Sequence, residues 1–472
     1  MTYPCGMQKI TPALLLLSVL YATCALPKEQ SPDAVRKEAR EIFQKVIAFR
    51  TSEGLGQVPA MAQYLAERFR AAGFPEQDIH ILPVGETASL VVRYRGSGRG
   101  ARPILLLAHM DVVTAKPEEW QRDPFTLVEE NGYFFGRGTL DNKQGVTVLT
   151  STFLRLRREG FVPKRDLIVA FSGDEETGML TASDLATTHR ELVDAEFALN
   201  SDDGGGQLDE TTGKPQYLSF VGAEKISSTY QLTVHNPGGH SSAPRADNAI
   251  YQLADALKAV QAYQFPVKYN DWTIGSFKAT GPVTAGPLGA AMTRFAANPK
   301  DEAAAAALAA VPTEVGKTRT TCVATMLNGG HASNALPQTA TATVNCRIFP
   351  GTSVDEVKAT LQEVVGKNVE VRNTGHTQPA DASPLRRDVL ASVTKAAQAI
   401  YPGIPVVPGM VPWATDGSIF RGAGIPTYGA SGSMIKASDS FSHGLNERLP
   451  VESFYDELTY WYVLLKDLAG KR

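Results

Sequence analysis

Two histidines and several carboxylates fall where the chain leaves apolar segments or turns on glycine. His109 and Asp111 end the stretch Ile104-Leu105-Leu106-Leu107-Ala108. Asp141 closes Gly136-Arg137-Gly138-Thr139-Leu140. Glu175 and Glu176 follow the run Leu167 to Ser172, bracketed by Gly173 and Gly178. Asp202 and Asp203 follow Phe197-Ala198-Leu199-Asn200-Ser201, ahead of three glycines, and His443 precedes Gly444. Imidazole nitrogens and carboxylate oxygens are the donors zinc accepts, and a catalytic zinc keeps a position open. The set is too rich for one ion, and a two-oxygen carboxylate can bridge two ions about 3.5–4 Å apart. Hydrolysis at such a centre also needs a carboxylate that is not a ligand, to take a proton from water. Adjacent Glu175 and Glu176 have diverging side chains and can supply one of each.

The elements that carry these groups read as α/β. The runs 103–108, 167–172 and 197–200 are continuous apolar strands of the kind buried on both faces in parallel sheets. Reactive groups in such sheets sit beyond the carboxyl ends of the strands. Helices are expected over Pro32–Phe49, 57–72, Val146–Leu156, Arg387–Ile400 and Val451–Leu468, with a strand at Leu90–Tyr94. From about residue 224 the character changes. Ile226–Val234 alternates polar and apolar, which fits a strand with one solvated face. A helix at Ala249–Ala262 follows, then strands at 320–327 and 339–348, a helix at Val354–Val365 and a strand at Val369–Val371. This β-α-β-β-α-β order predicts a separate ferredoxin-like α+β domain. It carries a Pro-, Gly- and Ala-rich insertion at 265–316 with a helix near Asp301–Ala310. The expected organisation is a catalytic domain built from 26–223 and 377–472 around a mainly parallel, mixed sheet, interrupted by a smaller domain at 224–376.

Taken together, the strand-His-x-Asp, the Gly-Arg-Gly-Thr-Leu-Asp-Asn-Lys-Gln-Gly segment and the Asp174-Glu175-Glu176-Thr177-Gly178 turn resemble the zinc-dependent exopeptidase family of glutamate carboxypeptidase, aminoacylase-1, carnosinase and succinyl-diaminopimelate desuccinylase. Gly238-Gly239-His240-Ser241 and Asn334-Ala335-Leu336-Pro337-Gln338, with Arg347-Ile348-Phe349-Pro350-Gly351, resemble its smaller domain. Gln144 before Gly145 departs from the family's usual spacing. The resemblance implies two zinc ions, with cobalt or manganese as substitutes, held by His109, Asp141, Glu176, Asp202 and His443, Asp141 bridging. It leaves Asp202 or Asp203 for one ligand, the strand register favouring Asp202. It implies Glu175 as general base, Asp111 as the carboxylate orienting His109, and a cis peptide bond at Asp141–Asn142. His240, Asn334 and Arg347 match substrate-binding residues of a lid domain that dimerises, His240 reaching the partner's site and Arg347 clamping a free carboxylate. Trp413 and Asp416 fall in a loop near the site by topology.

The function implied is hydrolysis of an amide bond next to a free carboxylate, in a peptide as a carboxypeptidase or dipeptidase does, or in an N-acyl amino acid. A catalytically inactive binding protein on the same fold is the alternative of another class, and the intact base and ligand set argues against it. A net charge of -3 over 472 residues gives no reason to expect nucleic acid or an anionic membrane as partner. Residues 1–25 read as a secretory signal, with Lys9, an apolar core from Ala13 to Ala22 and small residues at 23–25, so a secreted or periplasmic protein is expected. A lipidated Cys24 ranks lower, because Tyr21 stands where such signals usually have Leu. Cleavage would leave Cys322 and Cys346, in strand-like segments around a hairpin, either paired as a disulfide or as buried thiols. His80, His189, His235, His331 and His376 show no partner pattern.

Overall fold

The computed structural model describes residues 1–2, 28–98, 102–375 and 380–470. The expected signal segment with Cys24, and His376, fall outside them. No helix among the described residues is long and apolar enough to cross a membrane.

One ten-stranded sheet organises the larger part of the chain. Its strands run in the order Ile79–Val84, Thr87–Tyr94, Leu167–Ser172, Ile104–His109, Phe197–Asn200, Thr427–Ala430, Pro215–Glu224, Gly205–Leu208 and Met434–Ile435, with Val406–Val411 also paired to Pro215–Glu224. The strand ending in His109 lies parallel between Leu167–Ser172 and Phe197–Asn200, and all six of its residues are buried. Both faces are covered by helices, so the uninterrupted apolar run is what the position demands. On one face Ile104 and Leu106, with Val169, join the main core, which is shared with the helices Asp33–Ala48, Val58–Ala71, Lys143–Arg158 and Val451–Gly470. On the other, Leu105, Leu107 and Ile168 face a second cluster with Leu185 and Phe420.

The helix expected from Val146 begins three residues earlier, at Lys143. Gly145 permits this: a Cβ there would lie 2.3 Å from Ser201 Oγ and 2.4 Å from Asn142 Oδ1. The helix N-terminus is thereby pressed against the turn that carries Asp202, directly after Asp141. Several sheet strands have no counterpart in the sequence pattern, among them Gly205–Leu208 and Pro215–Glu224. Glycines and prolines break the apolar periodicity there, and pairing with neighbours supplies what local propensity lacks.

The smaller domain is a four-stranded antiparallel sheet in the order Thr321–Gly329, Thr339–Ile348, Ile226–His235, Glu370–Asn373. Ile226–His235 alternates buried and part-exposed residues as expected. The buried face packs Tyr230, Leu232 and Val344 against Leu253 and Leu361 of helices Ala249–Ala262 and Val354–Val365. The second helix starts on a capping box between Ser353 and Glu356. Cys322 and Cys346 stand opposite each other on adjacent strands and are joined by a disulfide.

The insertion holds four helices, Asp271–Thr280, Gly286–Ala297, Glu302–Ala309 and Pro312–Val315, rather than one. It packs against the large sheet. Trp272 is buried beside the Phe220 and Tyr428 rings, at 5.5 and 6.0 Å, and its indole N–H donates to the Ser383 carbonyl at 2.7 Å. Trp272→Ala should therefore lower stability by about 3–5 kcal/mol in chemical unfolding; a change below about 1 kcal/mol, on the order of a surface substitution, would mean the insertion is not anchored there.

Candidate metal centre

Five of the expected groups converge beyond the carboxyl ends of the parallel strands. His109 Nε2 lies 2.9 Å from Asp141 Oδ1 and 3.4 Å from Asp202 Oδ1. His443 Nε2 lies 3.1 Å from Asp141 Oδ2 and 2.9 Å from Glu176 Oε2. Asp141 thus offers one oxygen to each imidazole, which is the geometry a bridging ligand requires. Two donors on one tetrahedral zinc stand about 3.3 Å apart, given bonds near 2.0–2.1 Å, so these separations suit donors sharing an ion. Donor atoms of His109, Asp141 and Glu176 lie within 4.8 Å of one another, and so do those of His109, Glu175 and Asp202. Glu176 Oε1 is buried and has no hydrogen-bond partner, as expected of an oxygen that faces a cation. The donor set therefore fits a divalent metal, and two lobes share Asp141.

Electrostatics point the same way. Burial raises the Asp202 carboxyl to about 7 against the pull of His109, with Asp141 and Glu176 adding repulsion. Glu175 is pushed well above the carboxylate range, first by burial and then by the charges of Asp202, Asp416 and Asp141, while His109 opposes this. His443 rises to about 10 on its hydrogen bonds to Asp141 and Glu176. So much negative charge in so little space calls for a cation.

Asp111 does two things at once. Its carbonyl oxygen meets His109 Nδ1 at 3.1 Å, with carboxylate Oδ1 3.4 Å away. The same carboxylate accepts the backbone N–H groups of Glu175 at 3.1 Å and Glu176 at 3.0 Å. It holds both the imidazole and the loop that carries the two glutamates. The Asp141–Asn142 peptide bond is cis.

Asp203 turns away from this cluster. Its carboxylate accepts from Gly204 N–H, and burial together with repulsion from Glu224 raises it. Asp416, next to the cluster, is buried and bonds to Ser172 Oγ at the end of the Leu167–Ser172 strand. A cavity of about 1130 Å³ opens over the centre. Arg347 and Trp413 line it, but His240 and Asn334 do not. Those two sit together on the surface of the smaller domain, where His240 pairs with Ala335 and bonds Ser242 Oγ at 2.7 Å. Arg137 stands inside the glycine-rich segment that ends in Asp141, but nothing in the sequence pairs it with Glu447. Glu447 lies four residues beyond His443, an offset that is the only available signal.

The sequence matches the profile of peptidase family M20/M25/M40 over residues 105–467. The chain belongs to that family. It is 30% identical over 384 residues to the N-fatty-acyl-amino acid synthase/hydrolase PM20D1 of Xenopus tropicalis, covering 80% of this chain and 74% of that protein. It is 26% identical over 482 residues to the probable carboxypeptidase S-like 2 of Dictyostelium discoideum, covering 96% and 91%. The fold matches the M20 family metallo-carboxypeptidase Sso-CP2 of Sulfolobus solfataricus with a TM-score of 0.70 at 18% identity, covering 92% of this chain and all of that one. The chain is accordingly a metallo-peptidase or amidohydrolase of this family. The choice between the neighbouring aspartates is open to direct test: Asp202→Ala should lower bound metal per chain by mass spectrometric metal analysis, whereas Asp203→Ala should keep it. Equal metal content in both variants would reject Asp202 as a ligand.

Proposed function

We propose that this protein hydrolyses an amide bond whose amine side is an amino acid with a free carboxylate, using two zinc ions held by His109, Asp141, Glu176, Asp202 and His443. The observation that carries this is Arg347. It lines the cavity over the cluster, is partly buried, and has no carboxylate partner among the described residues. Burial depresses its guanidinium. Buried Lys225 is a second cation nearby, bonded only to the Arg319 carbonyl and Thr321 Oγ1 among the described residues. A guanidinium kept from counter-ions is a receptor for a planar carboxylate, which it grips through two parallel hydrogen bonds.

Bound metal would supply a Lewis acid for the amide carbonyl and lower the pKa of water at the centre. Glu175 takes the proton from the attacking water and returns it to the leaving amine. Its carboxylate lies in one cluster with His109 and Asp202, within reach of a water at the centre. Asp111 keeps the Glu175 backbone and the His109 ring in register. The cavity lining includes apolar Met179, Trp413 and Ile419, Trp413 half exposed. These side chains and the volume of the cavity leave room for a bulky apolar acyl group, and on that ground we place N-acyl amino acids ahead of dipeptides. Carboxypeptidase action is the second reading, supported by the carboxypeptidase S-like relative.

Two further proposals follow from position. Thr321–Gly329 is an edge strand, and it exposes Val323, Met326 and Leu327; Ile250 and Tyr251 are exposed on the adjoining helix. An apolar edge of this kind invites strand pairing. A homodimer through it would bring His240, idle in its own subunit, toward a partner's cavity to stabilise the oxyanion. The Cys322–Cys346 disulfide supports export to an oxidising compartment.

Glu175→Gln should retain its metal and lose about 10³-fold or more in kcat on a panel of N-lauroyl and N-acetyl amino acids and dipeptides, on the order of a lost general base combined with lost ground-state charge. Arg347→Met should raise KM for substrates with a free carboxylate and leave their carboxamide analogues unchanged. Full activity of Glu175→Gln, or equal effects of Arg347→Met on both substrate types, would reject these roles. Sedimentation should give a dimer for the wild type and a monomer for Leu327→Asp, which keeps its metal but loses activity. A monomeric wild type that is fully active would exclude the trans role of His240.

A further inference from the structure

We infer that Arg137 and Glu447 form a latch that positions both arms of the metal centre; they are positioning residues for Asp141 and His443. This rests on the metal assignment above and extends it to residues that touch no ligand atom. Both side chains are almost completely buried, at 3% and 0% exposure, and they pair at 2.7 Å. The Glu447 carboxylate does more than meet the guanidinium. It accepts the backbone N–H groups of Gly138 at 3.0 Å, Leu140 at 2.7 Å and Asp141 at 3.0 Å. Three donors of the Asp141 loop thus converge on one side chain from the far end of the sequence.

Arg137 returns the contact. Its Nη2 donates to the carbonyls of His443 at 3.3 Å and Gly444 at 3.2 Å. His443 stands at φ 64°, in the left-handed region that a non-glycine residue adopts only when its surroundings enforce it. Arg137 grips the carbonyl of that very residue. The Trp120 ring covers the guanidinium, its centroid 5.0 Å away. Each loop therefore supplies the side chain that fixes the other: the Asp141 loop gives Arg137 to His443, and the His443 loop gives Glu447 to Asp141. Since the two metal arms meet through the two oxygens of Asp141, a shift in either loop would spread the donors apart. Lysine could not replace Arg137, because an ammonium is a point charge whereas the guanidinium fork reaches the carboxylate and both carbonyls together.

The test compares wild type, Arg137→Lys and Glu447→Gln, with Asp456→Asn as a control for losing a buried acid elsewhere, one that accepts from Lys28 and Tyr401. Zinc affinity is measured by competition with a chelating dye, and folding of the metal-free protein by circular dichroism against temperature. Both latch variants should bind zinc about 10–100-fold more weakly while still folded, the usual cost of losing a residue that orients ligands. Asp456→Asn should lower the thermal midpoint and keep wild-type zinc affinity. Wild-type affinity in both latch variants would overturn the latch, as would an equal loss of affinity in the control. Where the variants fail to fold, hydrogen exchange on metal-free wild type decides. The Gly138, Leu140 and Asp141 amides should be protected, and free exchange at them would overturn the inference. A wild type that binds no zinc yet protects these amides would overturn the metal assignment instead, and with it the purpose given to the latch.

Discussion

Negative charge confined beyond the carboxyl ends of three parallel strands is the constraint on which the rest of this structure depends. Asp141, Glu175, Glu176 and Asp202 crowd around His109 and His443. Carboxylates so enclosed are costly unless a cation neutralises them. Among the described residues no lysine or arginine pairs with these acids. The nearby cations are spent elsewhere: Arg421 on Glu224, Arg137 on Glu447, and Lys143 on the Phe49 carbonyl. The protein tolerates a deficit of positive charge at one place, and that deficit suits a bound metal ion.

Rigid neighbours hold the acids in this unfavourable arrangement. The His109 strand is buried along its whole length, so its end cannot drift. Asp111 ties that end to the Glu175–Glu176 loop through two backbone amides. Gly145 lets the following helix approach Ser201, which keeps the Asp202 turn close to Asp141. The smaller domain contributes a different kind of group. Arg347 stands on a strand pinned beside the Cys322–Cys346 bridge, and it meets the cavity from above. Charge is thus divided by domain, with clustered acids on one side of the cavity and the Arg347 guanidinium on the other.

Much of this is legible in the residues. Uninterrupted apolar runs mark the central strands, and periodicity gives the helices Ala249–Ala262, Val354–Val365 and Arg387–Ile400 to the residue. The groups that end those strands are visible because chemistry-bearing residues stand next to glycines. Less is legible where pairing, not local pattern, makes the element. Pro215–Glu224 is a strand because Val406–Val411 and Gly205–Leu208 flank it. The three extra helices of the insertion are hidden in alanine-rich, proline-broken sequence; a core of their own around Phe277, Phe295 and Leu308 gathers them, and Trp272 docks them on the large sheet. Arg137 and Glu447 cannot be paired by spacing, since 310 positions separate them.

That separation bears on the order of events during synthesis. His109, Asp141, Glu175, Glu176 and Asp202 leave the ribosome within the first half of the chain, well before His443 and Glu447. Until the later segment arrives, the Asp141 loop has no acceptor for its amides and the acidic group lacks its second imidazole. The first half of the chain therefore carries most of the donors but not the set that the folded protein brings together. Docking of the C-terminal segment is what completes the constellation, so closure of the chain and assembly of the centre coincide.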